Sequence, residues 1–509
     1  MNYGGKLLLI FVVAVTGLTF GLFWLTSKKG GAEGEETLTL YCAAGVKPPV
    51  LAAAKDFYRR YGVKINLQYG GSGTLLSNLQ VAKQGDLYLA ADFSYIKLAQ
   101  EKGVVQESIP LALMTPVIAV QKGNPKGIKN LNDLSRDDVR LVLGNPGAAS
   151  IGKQTKKLLS ESGHWESVKT RVEASGVFKP TVPEVANDIK IGAVDAGVIW
   201  DATFNQYPEL EAVKVPEFDR AEKKITIGVL KWSSQPTLAL RFARFLNSEE
   251  GNQFFEKSGY APVKGDKWEW QPQLTFFCGS VNRRAVAGVL EEFSKRESVD
   301  ITTIYNGCGI LTGQMRSIRQ TQGGAGFPDI YFACDRYYLN NVKTWFQEDL
   351  DISETPIVIA VQKGNPMGIT DVTDLTKPGM KVAVGQCEQC TIGALTRNLL
   401  EKEGVYDKMQ SNVVAETPSS ALLVPTVATK SVDAAFAFLT DTQAEAKKVD
   451  SIGIPSKSAL AVQPYAIAVQ SRYKHLGRRF KARLVAARED FEAAGFRFRA
   501  DDSGVKKLK

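Results

Sequence analysis

The sequence predicts an α/β fold that occurs twice in tandem, and three observations support this prediction. The chain has 509 residues, more than one hydrophobic core usually organises, so several domains are expected. Short segments rich in β-branched residues alternate with helical patterns, which is typical of α/β domains. The two halves of the chain also resemble each other, and an internal repeat of this size indicates duplicated domains.

The internal repeat is visible in pairs of short segments that keep the same order along the chain. LTLYC at 38–42 matches LTFFC at 274–278, and YGGSG at 69–73 matches YNGCG at 305–309. Both pairs are separated by the same 236 positions. Unrelated matches would not keep one register, so we interpret the halves as copies of one domain.

The junction between the copies is predicted in the polar, tryptophan-bearing stretch at 264–272. The sequence VQKGNP, which occurs at 120–125 and again at 361–366, lies at a corresponding place in each copy. We therefore expect an N-terminal segment followed by two domains, with boundaries at 1–36, 37–268 and 269–509.

Within the first copy, the predicted elements alternate in the order expected of an α/β domain. Strands are predicted at 38–41, 64–67, 116–120, 139–143 and 196–200, and helices at 49–61 and 153–161. Several strands lead into Gly- or Ser-rich turns, at 43–49, 70–74 and 144–152. Ligands bind outside the carboxyl ends of strands in open α/β sheets, so these turns are the predicted functional site.

The N-terminal segment contains an uncharged apolar run, LLLIFVVAVTGLTFGLFWL at 7–25. Its length approaches the roughly 20 residues that cross a bilayer as a helix. Trp24 and Leu25 and the pair Lys28 and Lys29 follow, instead of the small residues of a signal-peptidase site. We expect an uncleaved single transmembrane helix, with a cleaved signal peptide as the alternative.

Composition and motifs exclude several classes of function. The formal net charge is +9, but the basic residues are dispersed, which does not favour nucleic-acid binding. The chain has two histidines, His164 and His475, and lacks the GxxxxGK[ST], HExxH and GxSxG motifs. We therefore expect that this protein is not an enzyme.

A group of ordered motifs resembles the periplasmic molybdate- and tungstate-binding proteins of ABC transporters, within the type II solute-binding class. The motifs are CAA at 42–44, GSGTL at 71–75, AAD at 90–92, GNP at 144–146, VDAGVIW at 194–200 and the closing stretch at 242–263. The resemblance implies two lobes around a cleft in each copy and no required cofactor. It also implies an extracytoplasmic location, with a small oxyanion passed to an ABC permease and its ATPase.

The resemblance assigns the anion-binding groups of the first copy to neutral donors from both lobes: Gly45, Ser72, Ile151, Val182 and Trp200. Gly45 stands where the family has a serine, and Trp200 stands where a tyrosine is typical. Each still offers an N–H donor. Helix N-termini concentrate such donors, so we expect an oxyanion ligand, molybdate or tungstate.

The second copy departs from this pattern because it holds five of the six cysteines: Cys278, Cys308, Cys334, Cys387 and Cys390. Ser280, Ser420 and Phe438 lie at or near the places of Gly45, Val182 and Trp200. We expect Ser280, Cys308 and Ser420 to contact a ligand, and all five cysteines to lie near one cleft.

Two chemical interpretations of the cysteines remain open. One is disulfide formation, for example between Cys387 and Cys390, because an extracytoplasmic compartment permits it. The other is a thiolate site for a soft metal such as Cu(I) or Zn²⁺, with Cys387 and Cys390 as candidate metal ligands, or for a thiophilic oxyanion. The alternative functions for the chain are therefore a membrane-anchored metal-binding or redox module, or an anion sensor.

Overall fold

The computed structural model of the protein describes residues 36–321 and 324–500. The predicted transmembrane segment at 7–25 lies outside these residues. Within the described ranges, no helix is both long enough and apolar enough to cross a membrane.

The contacts between Cα atoms divide the chain into two compact units. The first comprises residues up to 242 together with 253–263, and the second comprises 243–252 together with the residues from 264 onward. Each unit contains one copy of the sequence repeat, except that residues 243–252 of the first copy belong to the second unit.

The first unit alternates strands and helices, as its sequence predicts. Its strands are β1 (Thr37–Ala43), β2 (Lys64–Gly70), β3 (Leu87–Ala90), β4 (Val105–Met114), β5 (Pro116–Gln121), β6 (Leu141–Gly144), β7 (Val177–Lys179), β8 (Ala196–Trp200), β9 (Leu210–Val213), β10 (Lys223–Leu230) and β11 (Ala261–Pro262). Its helices are α1 (Lys47–Tyr61), α2 (Ser72–Ala82), α3 (Phe93–Glu101), α4 (Ser150–Glu161), α5 (Trp165–Ser175) and α6 (Val182–Lys190). The helices α7 (Pro236–Asn247) and α8 (Glu249–Lys257) contain the unit boundaries.

Two mixed sheets form the two lobes of the first unit. One sheet has the strand order β11-β4-β10-β3-β1-β2, and the other has the order β7-β6-β8-β5-β9. Strand β1 runs parallel to β2 and β3, and β6 runs parallel to β7 and β8. The carboxyl ends of parallel strands lie on one edge, so each sheet presents its strand-to-helix turns together.

The second unit repeats this plan. Its strands are β12 (Gln273–Gly279), β13 (Asp300–Asn306), β14 (Ile330–Phe332), β15 (Phe346–Gln362), β16 (Val382–Gly385), β17 (Val413–Thr417), β18 (Ala434–Phe438), β19 (Val449–Gly453), β20 (Leu460–Ala468) and β21 (Arg497–Phe498). Its helices are α9 (Arg283–Glu297), α10 (Cys308–Thr321), α11 (Arg336–Asn340), α12 (Thr391–Lys402), α13 (Tyr406–Gln410), α14 (Leu423–Ala428), α15 (Leu439–Ala444), α16 (Lys474–Ala486) and α17 (Arg488–Ala493).

The connection between the lobes differs between the copies. In the second unit, the single strand β15 runs through both lobes and joins all strands into one sheet. In the first unit, Thr115 separates β4 from β5. The backbone N–H of Thr115 donates to Asp201 Oδ1 at 3.1 Å, so it takes no part in the strand ladder at this point.

The predicted strands and the helix at 49–61 are confirmed to within a few residues. The helix predicted from residue 153 instead begins at Ser150, so Gly152 lies within its first turn. A Cβ added to Gly152 would lie 2.2 Å from the carbonyl oxygen of Gly144. The glycine therefore allows the helix to begin directly against the end of β6, a contact that periodicity cannot reveal.

The equivalent close approach in the second unit can be tested with two glycine substitutions in helices. We expect Gly393→Ala to destabilise the protein by about 1–3 kcal/mol, because its Cβ would lie 2.2 Å from the Gly385 carbonyl oxygen. The control, Gly288→Ala, has no atom near its added Cβ and should stabilise by roughly 0.5–1 kcal/mol. Urea unfolding of both variants measures the difference, and equal effects would contradict the steric explanation.

Candidate functional site

A small cavity lies between the two lobes of the first unit, at the carboxyl ends of its parallel strands. All five predicted site residues line it. The wall consists of Ala43, Ala44, Gly45, Val46, Gly70, Gly71, Ser72, Ala91, Ala149, Ser150, Ile151, Thr181, Val182 and Trp200. None of these residues carries a charged side chain, so any ligand held here meets only neutral groups.

Three helices begin at the wall of this cavity without side-chain caps. The residues preceding α2, α4 and α6 are Gly71, Ala149 and Thr181, and none of them makes a capping bond through its side chain. By contrast, Asp92 caps α3 by accepting from the N–H of Ser94 at 2.8 Å. A helix leaves its first N–H groups without internal acceptors, so the three uncapped ends offer donors to a ligand.

Ser72 contributes a hydroxyl at the first position of α2. Its side-chain oxygen accepts from the backbone N–H of Ala91 at 3.2 Å, and its carbonyl accepts from the Tyr88 hydroxyl at 2.7 Å. The Ser72 side chain is buried, with 1% of its residue surface exposed. A hydroxyl group can accept and donate hydrogen bonds at the same time, so the Ser72 proton is available to a ligand.

The two lobes of the first unit approach each other through glycine backbone. A Cβ added to Gly71 would lie 2.4 Å from the carbonyl oxygens of both Ala148 and Pro180. The N–H of Gly73 donates to the Ala148 carbonyl at 2.8 Å. These contacts hold the cleft closed around the cavity, and they require residues without side chains.

Gly45 faces Val182 across the cavity. A Cβ added to Gly45 would lie 2.6 Å from Val182 Cγ1, so the absence of a serine at 45 is matched by a valine on the opposite lobe. Ser150 and Thr181 also line the cavity, although the sequence motifs did not predict them as site residues. Their positions at the starts of α4 and α6 are the signal that could have found them.

A smaller cavity occupies the corresponding place in the second unit. Its wall consists of Ser280, Gly307, Cys334, Cys390, Thr391, Ile392, Ser419, Ser420 and Phe438. The predicted residues Ser280 and Ser420 therefore line the cavity, as do two of the cysteines. Phe438 replaces Trp200, so this wall lacks the indole donor.

Two of the five cysteines, Cys334 and Cys390, line this cavity, whereas Cys278, Cys308 and Cys387 are not part of its wall. Cys278 is buried beside the carbonyl of Gly279, and Cys42 occupies the same position beside Ala43 in the first unit. Cys387 is half-buried, with its Sγ 3.6 Å from the Gly393 carbonyl oxygen. Local packing decides these positions, because a side chain near the end of a strand or in a turn can point away from the cleft.

The soft-metal interpretation is also not supported, because the described residues contain no group of three or more His, Cys, Asp or Glu side chains able to hold a metal ion. The thiols of Cys387 and Cys390 are not joined to each other, and all six cysteines are free thiols in the structure. Cys308 instead pairs with Cys334, whose Sγ lies 3.0 Å away.

Both halves of the chain match the family model described as bacterial extracellular solute-binding protein, over residues 38–261 and 274–497. The chain belongs to this family. The double match confirms the tandem duplication, and the resemblance to molybdate-binding proteins is confirmed by the curated relatives.

These relatives each match less than half of this solute-binding protein but most of their own length. A binding protein of Haemophilus influenzae is 29% identical over 228 residues, which is 45% of this chain and 91% of the relative. The molybdate-binding protein ModA of Mycobacterium tuberculosis is 25% identical over 240 residues, 46% of this chain and 88% of the relative.

A solved structure, the periplasmic molybdate-binding protein of Azotobacter vinelandii, covers 44% of this chain and 98% of its own, with 15% identity and a TM-score of 0.39. Family membership makes the chain an extracellular solute-binding protein. The expectation that it is not an enzyme is confirmed on the same basis.

Asp441, behind the second cavity, is a further polar residue that the sequence analysis did not place at the site. Burial raises the pKa of its carboxyl to about 6, although a hydrogen bond with Ser420 and the charge of Arg284 act in the opposite direction. Its Oδ2 atom is buried without a hydrogen-bond partner. The ionised carboxylate is therefore poorly accommodated in the folded protein.

Substitution of Asp441 should change how stability depends on pH. The folded-state pKa is raised, so the folded protein binds an extra proton between about pH 4 and pH 6, and stability is lost as pH rises through this window. We expect Asp441→Asn to exceed the wild type in stability at pH 7 by up to about 3 kcal/mol, and to match it near pH 4. Urea unfolding at both pH values tests this, with the exposed Asp407→Asn as control. If the stability of Asp441→Asn differed from that of the wild type by the same amount at both pH values, the raised pKa of Asp441 would be contradicted.

Proposed function

We propose that the first domain captures molybdate or tungstate for an ABC importer. The observation that supports this proposal is the neutral cavity between the lobes, where three uncapped helix N-termini and the Ser72 hydroxyl converge. The helix ends supply partial positive charge without a mobile cation. A compact dianion is the ligand that such an arrangement suits.

The donor set also favours an oxyanion that carries no proton. The side chains of Ser72, Ser150 and Trp200 can donate hydrogen bonds to a ligand, whereas Thr181 Oγ1 already donates to Glu184 Oε1 at 2.7 Å, and no carboxylate lines the cavity. A protonated oxyanion such as hydrogen phosphate would require an acceptor for its proton. Molybdate, tungstate and sulfate are fully ionised dianions, so we expect them to bind in preference to phosphate.

The choice of molybdate or tungstate rests on the relatives. The mycobacterial relative is named as a molybdate-binding protein, and the motifs of the first domain follow that family from residue 42 to residue 263. The replacement of serine by Gly45 and of tyrosine by Trp200 leaves N–H donors in place. We infer that the anion class is retained while the contacts at these two positions have changed.

Delivery to a permease completes the proposed role. We propose that residues 1–36 tether the chain to the outer face of the cell membrane, and that the domains at 37–268 and 269–509 lie outside it. An ABC permease and its ATPase are the proposed partners. The apolar segment at 7–25 carries the tether proposal, since its composition suits a bilayer.

The second domain is a weaker candidate for the same anion. Its cavity is smaller than the first, and Phe438 supplies no donor. Ser280 and Ser420 still place hydroxyl groups on the wall. We infer that any anion held there contacts these two hydroxyls and the N–H groups at the start of α12.

Substitution of Ser72 tests anion capture by the first domain. We expect Ser72→Ala to weaken molybdate and tungstate binding by about 10- to 100-fold, because one hydrogen bond to a charged ligand is lost. Calorimetric titration of the full-length protein with molybdate, tungstate, sulfate and phosphate measures the change. Ser160→Ala, on the exposed face of α4, is the matched control and should bind as the wild type does. Absence of binding by every oxyanion would refute the proposal.

Restoration of the family serine provides a second test. We expect Gly45→Ser to weaken anion binding, because its Cβ would lie 2.6 Å from Val182 Cγ1 and oppose closure of the lobes. The double variant Gly45→Ser with Val182→Ala removes this contact and should recover affinity to at least the wild-type value. The same titrations measure both variants. Wild-type affinity in the single variant would show that Val182 does not restrict this position.

A further inference from the structure

We propose that Cys308 and Cys334 form a redox-active dithiol beside the second-domain cavity, and that a disulfide-bearing oxidant converts them into a disulfide bond. This proposal is independent of anion capture by the first domain. It assigns the site to two cysteines that are distant in sequence and excludes the neighbouring pair Cys387 and Cys390.

The two sulfur atoms are in direct contact. Cys308 Sγ lies 3.0 Å from Cys334 Sγ, and the backbone N–H of Cys334 donates to Cys308 Sγ at 3.1 Å. In the first unit, the N–H of Ala91 donates to Ser72 Oγ at 3.2 Å. The two copies thus share one backbone arrangement, in which sulfur replaces the Ser72 oxygen and a second sulfur replaces a hydrogen atom of the Ala91 methyl group.

A third difference between the copies provides space for the sulfurs. The position of Ala43 at the end of β1 is held by Gly279 at the end of β12. A Cβ added to Gly279 would lie 2.2 Å from Cys334 Sγ and 3.0 Å from Cys308 Sγ. Three replacements at separate places in the sequence therefore meet at one point, which a random accumulation of cysteines does not explain.

The distance between the sulfurs favours a disulfide over a metal bridge. Two thiolates on a tetrahedral Zn²⁺, with bonds of about 2.3 Å, would lie about 3.8 Å apart. The two sulfur atoms are 3.0 Å apart, which is shorter than this separation. Formation of an S–S bond of about 2.05 Å requires them to approach each other by about 1 Å. No third metal-binding side chain completes a site in the described part of the chain.

The two thiols differ in a way that suits thiol–disulfide exchange. Cys308 is the first residue of α10, a helix of 14 residues, and a helix N-terminus favours thiolate. Burial raises the pKa of Cys308, but hydrogen bonding with the side chain and the backbone N–H of Cys334 lowers it, and the net pKa is lowered. The hydrogen bond with Cys308, together with burial, raises the pKa of Cys334. Cys308 is therefore the attacking thiolate and Cys334 the resolving thiol.

The proposed reaction is balanced by a small disulfide, RSSR. The Cys308 thiolate attacks one sulfur of RSSR, forms a mixed disulfide and releases RS⁻. Cys334 then loses its proton to this RS⁻ and attacks the Cys308 sulfur, which releases the second RS⁻. The cysteines lose two electrons, RSSR gains them, and the products are the intramolecular disulfide and two RSH after protonation. Cys334 lies on the cavity wall, whereas Cys308 is fully buried, so the lobes must part for the first attack.

Oxidation of the full-length protein by glutathione disulfide tests this proposal. The reduced protein is incubated with glutathione disulfide, quenched with acid, alkylated and digested for mass spectrometry. We expect two of the six thiols to be lost and a peptide linking Cys308 to Cys334 to appear. This measurement needs no variant, so it does not depend on whether a substituted protein folds.

Variants identify the residues responsible. Cys308→Ser and Cys334→Ala each restore the residue found in the first copy. Cys308→Ser lacks the attacking thiol and should retain all five remaining thiols under the same treatment, whereas Cys334→Ala keeps Cys308 and should lose one thiol as a mixed disulfide of Cys308 with glutathione. Cys387→Ser removes the CxxC pair but should still lose two thiols. The proposal is overturned if Cys387 is linked to Cys390, if no thiol is lost, or if the reduced protein retains a stoichiometric zinc or copper ion that Cys308→Ser releases.

Discussion

The convergence of uncapped helix N-termini on one point is the constraint on which the rest of this structure depends. Each parallel strand ends beside the start of a helix, and the N–H groups at that start have no acceptor within the helix. In the first unit, three such ends meet across a cleft without a side-chain cap. A ligand anion can satisfy them, and closure of the lobes brings them together.

Close backbone approach makes this convergence possible. Gly71 and Gly73 meet the carbonyl oxygens of the opposite lobe, and Gly152 meets the end of its own strand. Any side chain at these positions would separate the lobes or displace the helix. The glycines are therefore part of the binding apparatus even though they contribute no functional group of their own.

Duplication has preserved this backbone while its side chains have changed. The second unit retains the strand order, the uncapped start of α12 and the glycine contacts at Gly307 and Gly309. Its cavity is nevertheless smaller and carries thiol groups. The backbone N–H that bonds Ser72 in one copy bonds Cys308 in the other. One scaffold thus carries a serine hydroxyl in the first domain and two cysteine thiols at the corresponding place in the second.

The sequence alone determined the duplication, the α/β class and the turns that form the first cavity, because repeats, periodicity and strand-end turns are local patterns. Only the tertiary structure decided which cysteines meet: Cys308 and Cys334 are 26 positions apart yet in contact, whereas Cys387 and Cys390 are near neighbours that remain unbonded. It also decided that Gly45 faces Val182 and that α4 begins at Ser150. These features depend on the direction of side chains and the distance between separate segments, which spacing along the chain does not specify.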